Sequence, residues 1–185
     1  RCQAPEIHSL HVANLALSLF DQTKREHHLG HQERTWLEYA AILHDVGYLI
    51  NPRQHHKHAY YLIKHSDLGG LTAEDIDVVA TVARYHRRSV PALKHEEFTR
   101  LTPRLQRVVK ILASLLRIAD GLDRTHFSLV QAVHVKSGKQ ITIQVHLTGD
   151  AEMELWAAKS RADLFEQVFR RRVQFSGMTP KTGKS

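Results

Sequence analysis

Between Glu6 and Arg25 the apolar residues Ile7, Leu10, Val12, Ala13, Leu15, Ala16, Leu19 and Phe20 recur at the spacing that lines one face of an α-helix. The same period returns from Gln32 to Val46, where Trp36, Leu37, Ala40, Ala41 and Leu43 form a stripe. Gly47 is the expected stop, since glycine commonly closes a helix C-terminus. After a loop through Asn51-Pro52, a helix is expected over His55–Lys64, closed by Ser66 and Gly69-Gly70. Thr72-Ala73-Glu74-Asp75 reads as an N-cap with early carboxylates, opening a helix to Tyr85. A loop with Pro91 and the Thr99–Pro103 stretch leads into a long apolar helix from Arg104 to Leu122.

After Ser128 the period changes to two. Val130, Ala132, His134 and Lys136 alternate with Gln131, Val133 and Val135; Ser137-Gly138-Lys139 makes a turn; Ile141, Ile143, Val145 and Leu147 alternate with polar residues. That pattern predicts a β-hairpin. Beyond Gly149-Asp150, Met153, Leu155 and Ala157 suggest a third short strand, followed by a helix over Arg161–Phe169 and a last strand over Arg172–Phe175. The expected fold is mainly α: a helical domain over 1–128, a small α/β lobe over 129–178 and a disordered tail over 179–185.

Composition narrows the class. The 185 residues, 42% hydrophobic and 24% charged, suit one globular core. No apolar run approaches the roughly 20 residues of a membrane helix, and the N-terminus lacks the pattern of a secretory signal. The start at Arg1 rather than Met suggests a piece of something longer. A single cysteine, Cys2, excludes an internal disulfide framework and a cysteine-based zinc site, and a reducing cytoplasm fits best. The net charge of +7 and pI near 9.7 favour anionic partners, although a basic surface around Arg170, Arg171, Arg172, Lys181 and Lys184 accounts for much of it. Nothing beyond charge points to nucleic acid. The 15 histidines are the unusual statistic.

Where those histidines fall matters more than their number. Leu43-His44-Asp45-Val46-Gly47 places an imidazole and a carboxylate side by side in an apolar segment, which is costly unless both are paired or metal-bound. Neighbours on a helix point about 100° apart, so the pair can share one centre only at a helix end or between helices. His8 shares a stripe with Val12, Leu15 and Leu19; His86 ends the helix through Ala83-Arg84-Tyr85; Asp120 sits on the apolar helix after Leu116 and Arg117. Helices that each offer a His or Asp toward one centre are how bundles build metal sites.

The order His…His-Asp…His…His…Asp, from His8 to Asp123, resembles the HD superfamily of metal-dependent phosphohydrolases. A narrower resemblance lies in four segments: His55–Ile63; Ser66-Asp67-Leu68-Gly69-Gly70; Ala83-Arg84-Tyr85-His86-Arg87; and Leu116–Arg124. These look like the C-terminal region of the exopolyphosphatase/guanosine pentaphosphate phosphatase (Ppx/GppA) family, whose last domain the β-rich tail also fits. That family's phosphatase site lies in N-terminal, actin-like domains, to which nothing here corresponds.

The resemblance implies a ligand set of His8, His44, Asp45, His55, His86 and Asp120, with Asp45 bridging and with His44 and Asp45 as the catalytic pair. The third position stays open: His55 is followed suitably by Ala59, Leu62 and Ile63, His56 fits less well, and His58 aligns with Tyr61 and Leu62 on a neighbouring stripe. Such ligands suit one or two ions of manganese, iron, cobalt, nickel or zinc better than calcium. The ion lowers the pKa of water toward ~7 for in-line attack on phosphorus. Lys57, Arg84, Arg87 and Arg88 are candidates to hold phosphate oxygens. His11, His27, His28, His31, His65, His95 and His126 are read as surface residues, and Asp123 as an ion-pair partner of Arg117 or Arg124.

Two functions follow. One is a phosphohydrolase acting on a phosphate ester or phosphoanhydride such as polyphosphate or a nucleotide-like compound. The other is a non-catalytic module of a longer exopolyphosphatase that binds polyphosphate and helps form a homodimer.

Overall fold

The structure, a computed structural model, describes residues 3–178, so the tail expected over 179–185 lies outside the described residues. Helix α1 (Gln3–Gln22) buries Val12, Leu15, Ala16 and Leu19, as their spacing requires. It stops at Thr23, whose hydroxyl donates to the Leu19 carbonyl at 2.7 Å. A single turn, α2 (Lys24–His27), leads to α3 (His31–Leu43), where the Gly30 N–H donates to the Glu33 carboxylate at 2.8 Å.

Helix α3 ends at Leu43, three residues before the expected Val46, and a 3-10 turn (Val46–Leu49) follows. Gly47 therefore does not serve as a helix stop. It lies where α4 (His55–Lys64) crosses, and a Cβ there would come within 2.0 Å of the His55 carbonyl oxygen and 2.5 Å of the Ala59 nitrogen. The residue is small because another backbone occupies the space.

Helix α5 (Ala73–Arg84) opens with the expected cap. The Asp75 N–H donates to the Thr72 hydroxyl, and the Thr72 N–H to the Asp75 carboxylate at 2.7 Å. After a short turn, α6 (Glu96–Thr99), the long helix α7 (Pro103–Gly121) starts with Thr102 as N-cap and Pro103 in its first turn, where a missing N–H costs nothing. Helix α7 is buried nearly all round and packs against α1, α3 and α5.

The hairpin forms as read, with β1 (Val130–Ser137) antiparallel to β2 (Ile141–Leu147) and Val133 opposite Val145. The third strand expected at Met153–Ala157 is instead helix α8 (Glu152–Ser160). Its buried residues, Glu154, Ala157 and Ala158, are spaced three and one apart, a helical face rather than an alternation. Met, Glu, Leu and Ala are also strong helix formers. Helix α9 (Asp163–Phe169) follows, and β3 (Val173–Met178) pairs in parallel with β2, which makes β2 the centre of the sheet.

The architecture is thus mainly helical with a small α/β lobe. One hydrophobic core runs through both, from Leu19 and Trp36 by way of Leu112 and Leu116 to Ile143 and Phe165. Among the described residues no helix is long and apolar enough to cross a membrane.

Candidate metal centre

Five elements converge on one buried point. His8 comes from α1, His44 and Asp45 from the break after α3, His55 from the first turn of α4, His86 from just beyond α5, and Asp120 from the end of α7. The early end of α3 lets adjacent residues serve one centre: His44 keeps helical dihedrals, whereas Asp45 has left them at φ −102° and ψ 3°. The four imidazoles are each at most 1% exposed, and Asp120 is 9% exposed.

Every imidazole is held by its Nδ1. That atom donates to Asp123 Oδ2 at 2.7 Å in His8, to the Ala41 carbonyl at 2.6 Å in His44, to the Pro52 carbonyl at 3.1 Å in His55 and to the Ala83 carbonyl at 2.7 Å in His86. With Nδ1–H used this way, each ring directs its Nε2 inward, and in its neutral form offers a lone pair there, the arrangement that outer hydrogen bonds impose on metal-ligating histidines. The Nε2 atoms of His8 and His44 are buried with no hydrogen-bond partner among the described residues.

Those two atoms face carboxylates at distances too long for hydrogen bonds. His8 Nε2 lies 3.7 Å from Asp45 Oδ2 and 3.5 Å from Asp120 Oδ1; His44 Nε2 lies 3.6 and 3.7 Å from the same two oxygens. Donors bound to a shared ion at ~2.0–2.2 Å sit roughly 3–4 Å apart, so this spread fits an ion between them. The other oxygen of Asp45 faces His55 Nε2 at 3.1 Å and His86 Nε2 at 3.7 Å. Two donor groups result, His8–His44–Asp45 and Asp45–His55–His86, joined through Asp45. The set of imidazoles and carboxylates matches the preferences of divalent transition metals.

Electrostatics mark the site as short of positive charge. Burial opposes ionisation of Asp45, yet His55, His44 and His86 outweigh it and bring its pKa down to about 2. Burial also opposes a charged Asp120, but His44, His8 and Arg161 hold it well below the usual carboxylate range. On His8, burial is outweighed by Asp120 and Asp123, which raise its pKa to about 9. Burial, with the charge on His44, lowers His86 to about 3.

Of the three histidines weighed for the third position, His55 enters the cluster. His56 is buried but sits beside it, its ring edge-on to those of His55 and His86, and burial together with the Arg84 cation lowers its pKa to about 3. His58 is half-buried on α4. Among the phosphate candidates, Arg87 reaches the cluster, its Nη1 lying 3.3 Å from His55 Nε2. Arg84 is buried and ion-paired with Glu97 at 3.3 Å, while Lys57 and Arg88 are exposed.

Five neighbours escaped the sequence reading. Asp123 is not paired with Arg117 or Arg124; it accepts from His8 and from the Ser128 N–H at 2.8 Å. Its place one turn beyond Asp120 was the available signal. Arg117 instead donates to the carbonyls of Tyr85 and Arg88, tying the His86 loop to α7. His126, read as a surface residue, is exposed but stacks on His8 with centroids 3.7 Å apart and planes 2° apart, and Tyr48 stacks on His55 at 4.0 Å. Arg161 forms an ion pair with Asp120 Oδ2. Backbone strain gathers here too. Of six non-glycine residues at positive φ among the described residues, Gln54 precedes His55, Arg88 follows Arg87, and His126 and Ser128 flank the His8 side.

These features define a class: a mainly helical domain with a small α/β lobe and a buried imidazole–carboxylate cluster at its helix ends. Over residues 4–164 the chain matches Ppx/GppA phosphatase, domain III. It belongs to the Ppx/GppA phosphatase family. It is 28% identical over 131 residues to the guanosine-5'-triphosphate,3'-diphosphate pyrophosphatase of Photobacterium profundum, an alignment covering 70% of this chain and 26% of that protein. The chain thus spans about a quarter of the length of that relative.

Proposed function

We propose that the helical part, over 1–128, is an HD-type domain that binds one or two divalent transition-metal ions and hydrolyses a phosphate ester or phosphoanhydride. The observation that carries this is the pair of buried, unpartnered Nε2 atoms on His8 and His44, each facing Asp45 and Asp120. The large majority of buried side-chain nitrogens are hydrogen-bonded. His56 Nδ1 is unpartnered too, and what sets His8 and His44 apart is that each orphaned Nε2 faces two carboxylates.

His8, His44, Asp45 and Asp120 hold the first ion; Asp45, His55 and His86 hold the second. When bound, such a metal polarises a phosphoryl oxygen and makes water acidic enough to attack near neutral pH. Asp45, ionised and shared by both groups, and His44 are the residues on which turnover depends. Arg87 neutralises a phosphate at the His55 end, with Lys57, Arg84 and Arg88 as further candidates to hold its oxygens. Family membership and the name of the relative make polyphosphate and guanosine phosphates the first substrates to try. The single cysteine favours a reducing, cytoplasmic setting.

The test is elemental analysis and phosphate release by the chain beside His44→Ala and Asp45→Ala. Transition metal bound by the native chain and lost from Asp45→Ala, with turnover falling about a thousandfold, is the expected result. Equal metal and equal turnover in all three would overturn it.

A further inference from the structure

The α/β lobe is joined to the cluster at three points. Gly121 follows Asp120, and a Cβ on it would lie 2.8 Å from the Ala158 Cα, so α8 touches the backbone of α7 directly at the cluster. Glu154, 1% exposed on α8, accepts from the Thr125 N–H at 3.1 Å and from the Thr125 hydroxyl, fixing the loop that carries Asp123 and His126. Arg161, just past the end of α8, places its Nη1 on Asp120 Oδ2, the oxygen turned away from His8 and His44.

That guanidinium is only partly spent. A guanidinium has five N–H donors, and the one hydrogen bond found for Arg161 among the described residues uses Nη1. Its side chain is 17% exposed, so its remaining donors reach solvent beside a carboxylate that faces the orphaned imidazoles. Across the cluster Arg87 sits on His55. The His–Asp cluster therefore has an arginine at each end, one from the helical part and one from the lobe. Two planar forks beside a centre that accepts cations suit one kind of ligand, a phosphoryl group whose oxygens are divided between them.

We propose that Arg161 is a phosphoryl-binding residue of this site, supplied by the α/β lobe, so that the lobe completes the substrate pocket. This rests on the metal-site reading above and adds the residue that fixes the far side of the phosphate. A role confined to orienting Asp120 makes a different prediction. Loss of an orienting contact weakens metal binding, whereas loss of a phosphate clamp spares the metal and weakens the anion.

The experiment is calorimetric titration of the chain and of Arg161→Ala and Arg161→Lys, first with manganese and then, on the manganese-loaded proteins, with inorganic phosphate. Phosphate affinity should fall at least about tenfold in Arg161→Ala, as expected for loss of a charge-assisted hydrogen bond, with Arg161→Lys between. Manganese stoichiometry should hold, with affinity equal or tighter because a neighbouring cation has gone. Unchanged phosphate affinity, or manganese affinity that falls in step with phosphate, would overturn the proposal. Should the native chain bind no manganese, the metal reading falls by itself. The phosphate titration on metal-free protein still decides the arginine: weaker binding in Arg161→Ala supports the clamp, and equal binding removes it.

Discussion

The two halves of the cluster share Asp45 and little else. On one side, His8 and His44 face two carboxylates, Asp45 Oδ2 and Asp120 Oδ1, and His8 is backed by a third in Asp123. On the other, the one carboxylate that His55 and His86 face among the described residues is Asp45 Oδ1; they are backed by backbone carbonyls and have the Arg87 guanidinium beside them. The first half concentrates negative charge in a buried place, which a divalent ion relieves. The second has less negative charge, and each half has one arginine beside it, Arg161 on Asp120 and Arg87 on His55. On the metal-binding reading proposed above, the half with more carboxylate would hold its ion more tightly than the other.

That contrast breaks most directly by removing one imidazole from each half. His8→Ala should cost more than about a hundredfold in the affinity of the tighter of two manganese sites, because an imidazole ligand and its Asp123 support go together. His86→Ala should leave that tighter site in place and remove the weaker one. A competitive titration against a chelator reads both. Equal losses in the two variants would mean that the halves do not differ as their charges imply.

A smaller effect separates ligand from support. Asp123→Asn keeps the shape but removes the charge behind His8, and manganese affinity at the tighter site should drop about 10- to 100-fold with the weaker site unmoved. Gly47→Ala acts on the other half. The added Cβ meets the backbone of α4 at His55, which must shift. The expected cost is about 1–3 kcal/mol in urea unfolding, with the weaker manganese site lost before the tighter one.

How far the chain announces this arrangement depends on the range of the contact. The helices were legible because each buries a continuous stripe: α4 and α5 start where the pattern says, and α7 within a residue of it. His8, His44, Asp45 and Asp120 stood out because each puts a polar group that burial makes costly into an apolar segment, whereas His55 and His86 were picked out by the order that the family resemblance supplies. Alternation at Met153, Leu155 and Ala157 misled, since the Glu154–Ala157–Ala158 face that decides α8 appears only when Thr125 and Gly121 are beside it. Arg161 was invisible for the same reason. It meets Asp120 across 41 residues of chain and through a lobe that looked separate in pattern, and an arginine read as the start of a helix carries no local sign of its partner. Gly47 was noticed for the wrong cause, because a glycine that ends a helix and one that lets two backbones touch read alike.

His27 gives the comparison its reference point, a buried histidine with both ring nitrogens satisfied. Its Nε2 donates to the Phe20 carbonyl at 2.9 Å, its Nδ1 accepts from the Leu29 N–H at 2.9 Å, and the residue is 1% exposed. A second proton would have to sit on Nδ1 and face that N–H donor. Burial, reinforced by the charges of His28 and Arg107, lowers its pKa below 6.5 despite the Phe20 bond and Glu26. The folded state thus binds this proton less readily than the unfolded chain. Its contribution to stability is complete above pH 6.5 and is lost as pH falls from 6.5 toward the depressed folded value, at up to about 1.4 kcal/mol per pH unit. His86 and His56 add slopes of the same sign and His8 one of the opposite sign, so only a difference isolates His27. His27→Gln keeps a donor for Phe20 and has no such proton; the native chain should lose more stability than this variant between about pH 7 and 5, by a modest margin in urea unfolding. Manganese binding should be the same in both. A parallel pH dependence in the two proteins would mean that His27 is protonated in the fold, and the contrast between satisfied and orphaned imidazoles would lose its control.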